Sequence, residues 1–352
     1  MPTPLSSLFV GCALASALAS QQTTPSAKAP ATIAAALYST RGDDKVHLVS
    51  LPELKPLATY DAGAGAHELA ISADGRWALG SAYGGPGKGH LPADNRVFVL
   101  DLPAGKRAHM VDLGAVKRPN DIAFLGSSSE AVLTTEVPAQ LLRLDAATGK
   151  FTAFALEHRT NHMLALSPDA KTCFVSHVAP GGITRFDLGS NTAKAHAALP
   201  TGAEGIACSG DGKRVWVGCN RSSKLVVVDS ETLAVVQEVE RGGFPLRVKG
   251  SLDGKLVAVS CPLSGEVVLY DAADATKAQV IDLRKAIGEE VSPTSIAFAA
   301  DSTLLVVVAN GEPYHVLAIE VATGKVVADI EAAGPIADAL AAGRIQTPAP
   351  AK

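Results

Sequence analysis

The chain has 352 residues, of which 47% are hydrophobic and 5% aromatic, and its formal net charge is −4 at pH 7. This is enough for one large all-β domain or two average domains, with a core built from small aliphatic side chains. Because Lys and Arg form no cluster, the composition argues against a surface for nucleic acid or anionic membranes.

The chain begins with a segment that has the features of a signal peptide. Residues 5–19 form a mainly apolar run, too short to span a bilayer, that ends in Ala17-Leu18-Ala19, the small-x-small pattern of a cleavage site. We therefore predict a signal peptide over residues 1–20, a polar linker over residues 21–30, and a periplasmic or secreted protein with no transmembrane segment in its mature chain. Acylation of Cys12, which would make the protein a lipoprotein, is the alternative.

A pattern of four short strands recurs along the rest of the chain. Each copy has an apolar strand, a Ser-x-Asp-Gly-like turn, a second strand, a polar loop, a third strand that ends in Asp or Glu, a turn and a fourth strand. The third strands end at Asp101, Asp145, Asp187, Asp229, Asp271 and Glu320. Most copies are therefore 42 to 44 residues apart, the length of a four-stranded propeller blade. The Asp-Gly pairs and strand-end Asp residues are expected to stabilise turns.

Two incomplete copies flank six complete ones. Residues 34–62 supply the second, third and fourth strands of the pattern, and residues 334–340 look like a first strand with nothing after it. Joined, they make a seventh blade and leave no unpaired inner edge. We therefore predict an all-β protein, a seven-bladed β-propeller over residues 31–345, whose ring closes when a C-terminal inner strand joins the N-terminal blade. Residues 346–352 are predicted to be a disordered tail.

Several of these phrases resemble a known repeat. SADGRWALGSA from Ser72, SGDGKRVWVGCN from Ser209 and LLVVVAN from Leu304 are similar to the YVTN-type repeat, in which Ser-Pro-Asp-Gly precedes a strand ending in Val-Ala-Asn. The resemblance is to the YncE-like exported propellers and covers about residues 30–345. It implies a binding or scaffold module. Related propellers include sugar lactonases, so a metal-dependent, lactonase-like hydrolase is the alternative.

The first residues of the inner strands are candidates for a ligand site, because in a propeller they converge at one mouth of the central channel. Most of these positions carry polar side chains here, whereas Leu246 and Ile336 are apolar. We predict that a small polar molecule or a protein partner binds to His67, Glu68, Asn120, Asp121, His162, Glu204 and Arg247. A hydrated mouth without a ligand is the alternative.

A metal ion is a further candidate for this rim. His177 ends the second strand of the blade that His162 begins, so both imidazoles are expected on the same face of the ring. With Glu204 they form a candidate nitrogen and oxygen set for a divalent ion. In the hydrolase alternative, an ion polarises a carbonyl group and activates water, with Glu68 or Glu204 as the base. The spacing assigns no catalytic residue and establishes no cofactor.

Residues 83–95 form the longest loop predicted on this rim, which is expected to be a lid, a partner contact or an inert insertion. Beyond the signal segment, the cysteines are Cys173, Cys208, Cys219 and Cys261. Disulfides are permitted outside the cytosol, but the spacing names no pairs, and small buried thiols explain the four equally well. We expect no nucleic-acid partner and a monomeric protein.

Overall fold

The computed structural model describes Met1 and residues 31–84, 92–126, 129–288, 290–334 and 337–347. Within these residues, strands β1–β28 form seven four-stranded antiparallel sheets, which are the blades of a β-propeller. The predicted all-β class and the predicted number of blades are confirmed. No helix among the described residues is long and apolar enough to cross a bilayer.

The first three blades contain the strands that follow. Blade one consists of β1 (Thr32–Thr40), β2 (Lys45–Ser50), β3 (Pro56–Asp61) and the C-terminal β28 (Ala337–Gln346). Blade two consists of β4 (Glu68–Ile71), β5 (Trp77–Gly84), β6 (Ala93–Asp101) and β7 (Lys106–Asp112). Blade three consists of β8 (Lys117–Phe124), β9 (Glu130–Val137), β10 (Gln140–Asp145) and β11 (Phe151–Ala155).

The next four blades follow the same order from the channel outward. Blade four consists of β12 (Asn161–Leu166), β13 (Thr172–His177), β14 (Gly182–Asp187) and β15 (Thr192–Ala198). Blade five consists of β16 (Ala203–Cys208), β17 (Arg214–Cys219), β18 (Lys224–Asp229) and β19 (Val235–Glu240). Blade six consists of β20 (Val248–Gly250), β21 (Leu256–Cys261), β22 (Glu266–Asp271) and β23 (Asp274–Asp282). Blade seven consists of β24 (Ser292–Phe298), β25 (Leu304–Asn310), β26 (His315–Glu320) and β27 (Lys325–Glu331). A 3-10 turn (Asn220–Ser222) and the helix α1 (Leu283–Ile287) lie in connections.

The ring closes as predicted, through the two ends of the propeller. Strand β28 pairs antiparallel with β1, with Leu340 opposite Tyr38 and Ala342 opposite Ala36. The inner strands of neighbouring blades contact one another all round the ring, and β28 contacts both β4 and β24. Strand β28 extends to Gln346, the first residue of the predicted tail. The predicted signal peptide beyond Met1, the linker, Ile336 and the tail from residue 348 lie outside the described residues.

The core lies between blades and consists mainly of aliphatic side chains. In one cluster, for example, Leu79 and Val99 of blade two pack against Leu133 and Leu144 of blade three. The second and third strands of each blade are buried almost throughout, whereas outer strands such as β19 alternate between exposed and half-buried residues. This packing fixes each blade against its neighbours and thereby positions the starts of the inner strands.

The repeated polar residues form turns, as predicted. In the β4–β5 turn, the Ser72 hydroxyl donates to Oδ1 of Asp74 at 2.6 Å and accepts from the amide of Trp77 at 2.9 Å. Gly75 has a φ of +72°, in the left-handed region that favours glycine. At the end of β10, Oδ1 of Asp145 accepts from the turn amide of Ala147 at 2.8 Å. These residues therefore stabilise the turns that connect the strands.

Candidate ligand site at the channel mouth

The starts of the inner strands meet at one mouth of the channel, where most of the predicted ligand residues contact one another. We call the following set the mouth cluster: Arg41, His67, Glu68, Asn120, Asp121, His162, Glu204, Arg247 and Asp338. Glu68 begins β4, His162 and Glu204 are the second residues of β12 and β16, and Arg247 directly precedes β20. Because these strands pack side by side around the axis, their first residues share one end of the ring.

Hydroxyl groups on the second strands hold the inner strands at this end. The Ser39 hydroxyl donates to the carbonyl of Ala66 at 2.9 Å, and the Ser176 hydroxyl donates to the carbonyl of Glu204 at 2.6 Å. Thr134 donates in the same way to the carbonyl of His162. Each bond joins one blade to the next, at His162 and Glu204 of the mouth cluster and at Ala66, directly before His67. Ser or Thr recurs at this position of the repeat, so the sequence itself marks these hydrogen bonds between blades.

Arg247 is the centre of the mouth cluster. Its Nη2 lies 2.6 Å from Oε1 of Glu68, and its Nη1 lies 3.3 Å from Oε1 of Glu204. The contact with Glu68 is an ion pair without hydrogen-bond alignment, since that oxygen has no hydrogen-bond partner. The Asn220 amide donates to Oε2 of Glu204 at 2.5 Å. One guanidinium thus connects carboxylates from two other blades.

Burial shifts the pKa values of the residues around Arg247. Burial, reinforced by Arg247 and His67, lowers the pKa of His162 to about 4, although Glu204 opposes the change. Burial alone would raise the pKa of Glu204, but His162, Arg247 and the Asn220 hydrogen bond bring it below its ordinary value. Burial raises the pKa of Glu68 against the opposing charge of Arg247. At neutral pH, His162 is therefore a neutral imidazole beside an ionised Glu204.

Asp338 and Arg41 complete the cluster on the side of blade one. Oδ2 of Asp338 accepts from Nη1 of Arg41 at 2.8 Å and lies 3.0 Å from Nδ1 of His67. An ionised carboxylate can only accept, so Nδ1 of His67 donates to Oδ2 of Asp338. The ring of His67 lies 4.9 Å from that of Tyr83, whose hydroxyl donates to Glu136 at 2.8 Å.

Asp121 has a structural role that the sequence did not indicate. Its Oδ2 accepts from the amide of Leu164 in the next blade at 3.1 Å, and its Oδ1 accepts from the amide of Ile122 at 3.0 Å. Lys249 lies 3.8 Å from the same carboxylate. Asp121 therefore joins blades three and four. Because both of its oxygens already accept hydrogen bonds, it has little hydrogen-bonding capacity left for a ligand.

Several buried polar atoms of this region have no hydrogen-bond partner. They are Oε1 of Glu68, both amide atoms of Asn120, Nδ1 of His162, Oδ1 of Asn220 and Nε of Arg247. Buried polar groups in folded proteins are nearly always paired, and each unpaired one costs about 1–3 kcal/mol. Nδ1 of His162 lies 3.8 Å from Glu204, which is too far for a hydrogen bond. These buried atoms have hydrogen-bonding capacity that the described residues leave unused.

The mouth cluster does not fit a divalent metal ion. Glu68 and Glu204 already face the guanidinium of Arg247, and Asp121 is held by backbone amides. Among the residues that the structure describes, no group of three or more His, Cys, Asp or Glu side chains is arranged to hold a metal. A divalent ion placed between Glu68 and Glu204 would be repelled by Arg247 at contact distance.

His177 is not brought together with His162 and Glu204. In the β12–β13 pair, His177 lies opposite Asn161, the residue before His162. His177 instead contacts Thr184, His158 and His196. The predicted metal set of His162, His177 and Glu204 stays a prediction, and these contacts do not support it.

The rim loop and the cysteines are the remaining candidates from the sequence. Residues 85–91 of the predicted rim loop lie outside them. The four described cysteines are free thiols. Burial raises the pKa of Cys208 and of Cys219 to about 12, so both are protonated and unreactive at neutral pH.

Comparison with known proteins adds no family to this geometry. No family model matches the chain, and no curated protein is significantly similar to it.

Proposed function

We propose that the protein is a binding propeller that holds a small polar molecule at the mouth cluster. The observation that carries this proposal is that three buried polar atoms without a hydrogen-bond partner lie in one contact network, on His162, Asn220 and Arg247. A few placed polar groups of this kind fix the orientation of a polar ligand in a pocket.

The charges of the cluster favour a ligand that is neutral overall. They form three sets: Arg247 with Glu68 and Glu204, Arg41 with Asp338, and Lys249 with Asp121. An added anion would lose its hydration without gaining an unpaired counter-charge, and an added cation would meet the guanidinium of Arg247 at contact distance. A neutral molecule with hydroxyl or amide groups can instead hydrogen-bond to Nδ1 of His162 and Nε of Arg247. We therefore propose a polyol, a sugar or a similar neutral compound.

A thermal-shift series tests this proposal. The arms are neutral compounds (myo-inositol, glucose and glucono-δ-lactone), inorganic phosphate, and Ca²⁺. We expect the melting temperature to rise with at least one neutral compound, because stabilisation grows with ligand concentration over its dissociation constant. The response should be lost in His162→Ala and Asn120→Ala. The matched control is His109→Ala on the outer strand β7, which should respond like the wild type.

Two results would overturn the proposal. Equal responses of the wild type, His162→Ala and Asn120→Ala would place the ligand elsewhere. The absence of any response to the neutral compounds, with a response to phosphate or Ca²⁺ alone, would contradict the proposed neutrality. The unliganded melting temperature of each variant identifies a variant that has failed to fold.

The lactonase-like alternative is less well supported, because Arg247 occupies the place that an ion would need. Hydrolysis of a lactone panel, measured with and without a chelator, decides between the two functions. Hydrolysis that a chelator abolishes would favour the metal-dependent enzyme.

We further propose that the chain belongs with the YVTN-type propellers and is exported. The repeated phrases from Ser72, Ser209 and Leu304 support the first point, and the apolar run ending in Ala17-Leu18-Ala19 supports the second. Exported protein should begin at Ser20 or Gln21 when its N-terminus is sequenced. Protein that still begins at Met1 would contradict cleavage, and an acylated Cys12 would make it a lipoprotein.

A further inference from the structure

Grooves recur on the face of the ring opposite the mouth cluster, at the seams between neighbouring blades. Each groove lies between the turn that joins the first two strands of one blade and the turn that joins the last two strands of the next. Such grooves are present at the seams of blades four and five, five and six, and seven and one. Their volumes are about 390, 380 and 390 Å³, within the range of about 300–1,000 Å³ that is typical of small-molecule sites.

Two of these grooves are polar. The groove between blades four and five is lined in part by Asp169, Arg185, Asp211 and Glu231. The groove between blades five and six is lined in part by Asp211 and Lys255. Both consist mainly of the Ser, Asp and Gly residues of the repeated turns, so the repeat itself makes these grooves polar.

The groove between blades seven and one, which we call the seam groove, is different. Its charged residues are Asp301 from blade seven and Arg344 from blade one. The rest of its lining is mainly apolar and consists of Ala34, Leu51, Pro52, Ala299, Ala300 and Leu304. An apolar lining with a few polar groups is the usual composition of a small-molecule site.

The sequence explains the apolar wall on blade seven. Ala299 stands at the repeat position that carries serine in four other blades, at Ser72, Ser167, Ser209 and Ser251. In those turns the serine hydroxyl donates to the Asp two residues later at 2.6 or 2.7 Å. Ala299 cannot donate to Asp301, and its methyl group lines the groove instead.

The ring closure explains the wall on blade one. The first two strands of this blade, β28 and β1, come from opposite ends of the propeller, so Ala34 and Arg344 line the groove where other blades have a turn. The third strand ends at Ser50 and is followed by Leu51 and Pro52, whereas the other third strands end in Asp or Glu.

The two charges of the seam groove have no counter-charge. Nε and Nη2 of Arg344 donate to the hydroxyl and the carbonyl of Thr32 at 2.8 and 2.9 Å, which fixes the guanidinium and leaves Nη1 free. Oδ1 of Asp301 accepts from the amide and the hydroxyl of Thr303 at 3.0 and 2.8 Å. In the described part of the chain, neither Arg344 nor Asp301 takes part in an ion pair.

We propose that the seam groove binds a free aliphatic amino acid, such as leucine. Its carboxylate accepts from Nη1 of Arg344, its ammonium group donates to Oδ2 of Asp301, and its side chain packs on Leu51, Ala299 and Leu304. A zwitterion supplies both missing counter-charges at once and adds no net charge, whereas a simple anion or cation supplies only one. The site lies at the other end of the ring from the mouth cluster and does not depend on a ligand there.

The test measures binding of L-leucine to the full chain by ligand-observed NMR titration. Three analogues each lack one recognised group: leucine amide has no carboxylate, N-acetyl-leucine has no ammonium group, and glycine has no apolar side chain. Asp301 and Arg344 are exposed, and exposed ion pairs contribute little, so each of the first two analogues should bind about two- to fivefold more weakly. Glycine should bind about tenfold more weakly or less tightly still, because it buries no apolar side chain.

Two variants connect each charge to one group of the ligand. Arg344→Met should no longer distinguish L-leucine from leucine amide, and Asp301→Asn should no longer distinguish L-leucine from N-acetyl-leucine. The matched controls are Asp211→Asn, at the repeat position equivalent to Asp301, and Arg185→Met, in the groove between blades four and five. Both should bind L-leucine and the analogues like the wild type.

The proposal is overturned if the wild type does not bind L-leucine, or if Arg344→Met and Asp301→Asn discriminate among the analogues as the wild type does. The melting temperature without ligand identifies a variant that has failed to fold. Because Arg344 also holds Thr32 at the ring closure, Asp301→Asn provides the test if Arg344→Met does not fold. The mouth variant His162→Ala should bind L-leucine like the wild type, which keeps this result separate from the neutral ligand proposed above.

Discussion

Arg247 of blade six lies 2.6 Å from Glu68 of blade two, and both side chains are only 4% exposed. The two residues are on blades that do not touch in the ring, so the pair spans the channel mouth. A second contact, 3.3 Å from Arg247 to Glu204 of blade five, makes the guanidinium a bridge between three blades. This bridge is therefore expected to stabilise the mouth of the channel.

Arg247→Met should destabilise the protein strongly. Removal of one member of a buried ion pair leaves an uncompensated buried charge, which costs about 3–5 kcal/mol in the free energy of unfolding. Urea denaturation in the presence of a chelator measures this loss. The double variant Arg247→Met with Glu68→Gln should recover part of it, because the unpaired carboxylate is then neutral. A loss below about 1 kcal/mol in the single variant would mean that the pair behaves like a surface ion pair.

The pH dependence of stability should reveal the buried His162. Its pKa is about 4 in the folded protein and about 6.5 in the unfolded chain. The unfolded chain therefore binds a proton first, so stability is full above about pH 6.5 and falls as the pH drops toward 4. Within this window each pH unit costs about 1.4 kcal/mol. His162→Gln cannot titrate, so its free energy of unfolding should fall less steeply in urea titrations between pH 7 and 4. Equal slopes would show that folding does not lower the pKa of His162.

The repeat made the fold predictable, because 42-to-44-residue spacing and period-two apolar strands leave few other architectures. It also placed His67, Glu68, His162, Glu204 and Arg247 at one mouth, since equivalent positions of a repeat occupy equivalent positions in the ring. Contacts between blades were not predictable in this way. They depend on the length and direction of side chains, and no local spacing encodes them.

Two residues illustrate this limit. Asp338 was missed because the mouth position of the last inner strand was assigned to Ile336, two residues earlier in the chain. His177 ends its strand opposite Asn161 and contacts His158 and His196, which are contacts that no spacing in the sequence encodes.

Removal of β28 should destroy the folded ring. A chain that ends at Glu331 lacks the inner strand of blade one, which leaves the backbone of β1 unpaired and exposes the buried surface around Ala339 and Ile345. Open strand edges pair with other chains, so we expect aggregation and the loss of a cooperative melting transition. Size-exclusion chromatography and calorimetry measure both effects. A chain that ends at Gln346 retains β28 and should melt like the full-length protein. If both truncated chains melt alike, β28 does not close the ring.

Arg247→Met should also turn the mouth into a cation site. In the wild type the guanidinium supplies the positive charge between Glu68 and Glu204. Without it, two buried carboxylates remain beside the Asn220 amide, and carboxylate and amide oxygens are the ligands that Ca²⁺ prefers. We therefore expect Ca²⁺ to raise the melting temperature of Arg247→Met but not of the wild type. The double variant Arg247→Met with Glu204→Gln should lose the response. A wild type that Ca²⁺ stabilises as much as the variant would show that Arg247 does not exclude an ion, and the metal-dependent hydrolase would then be the better explanation of the mouth cluster.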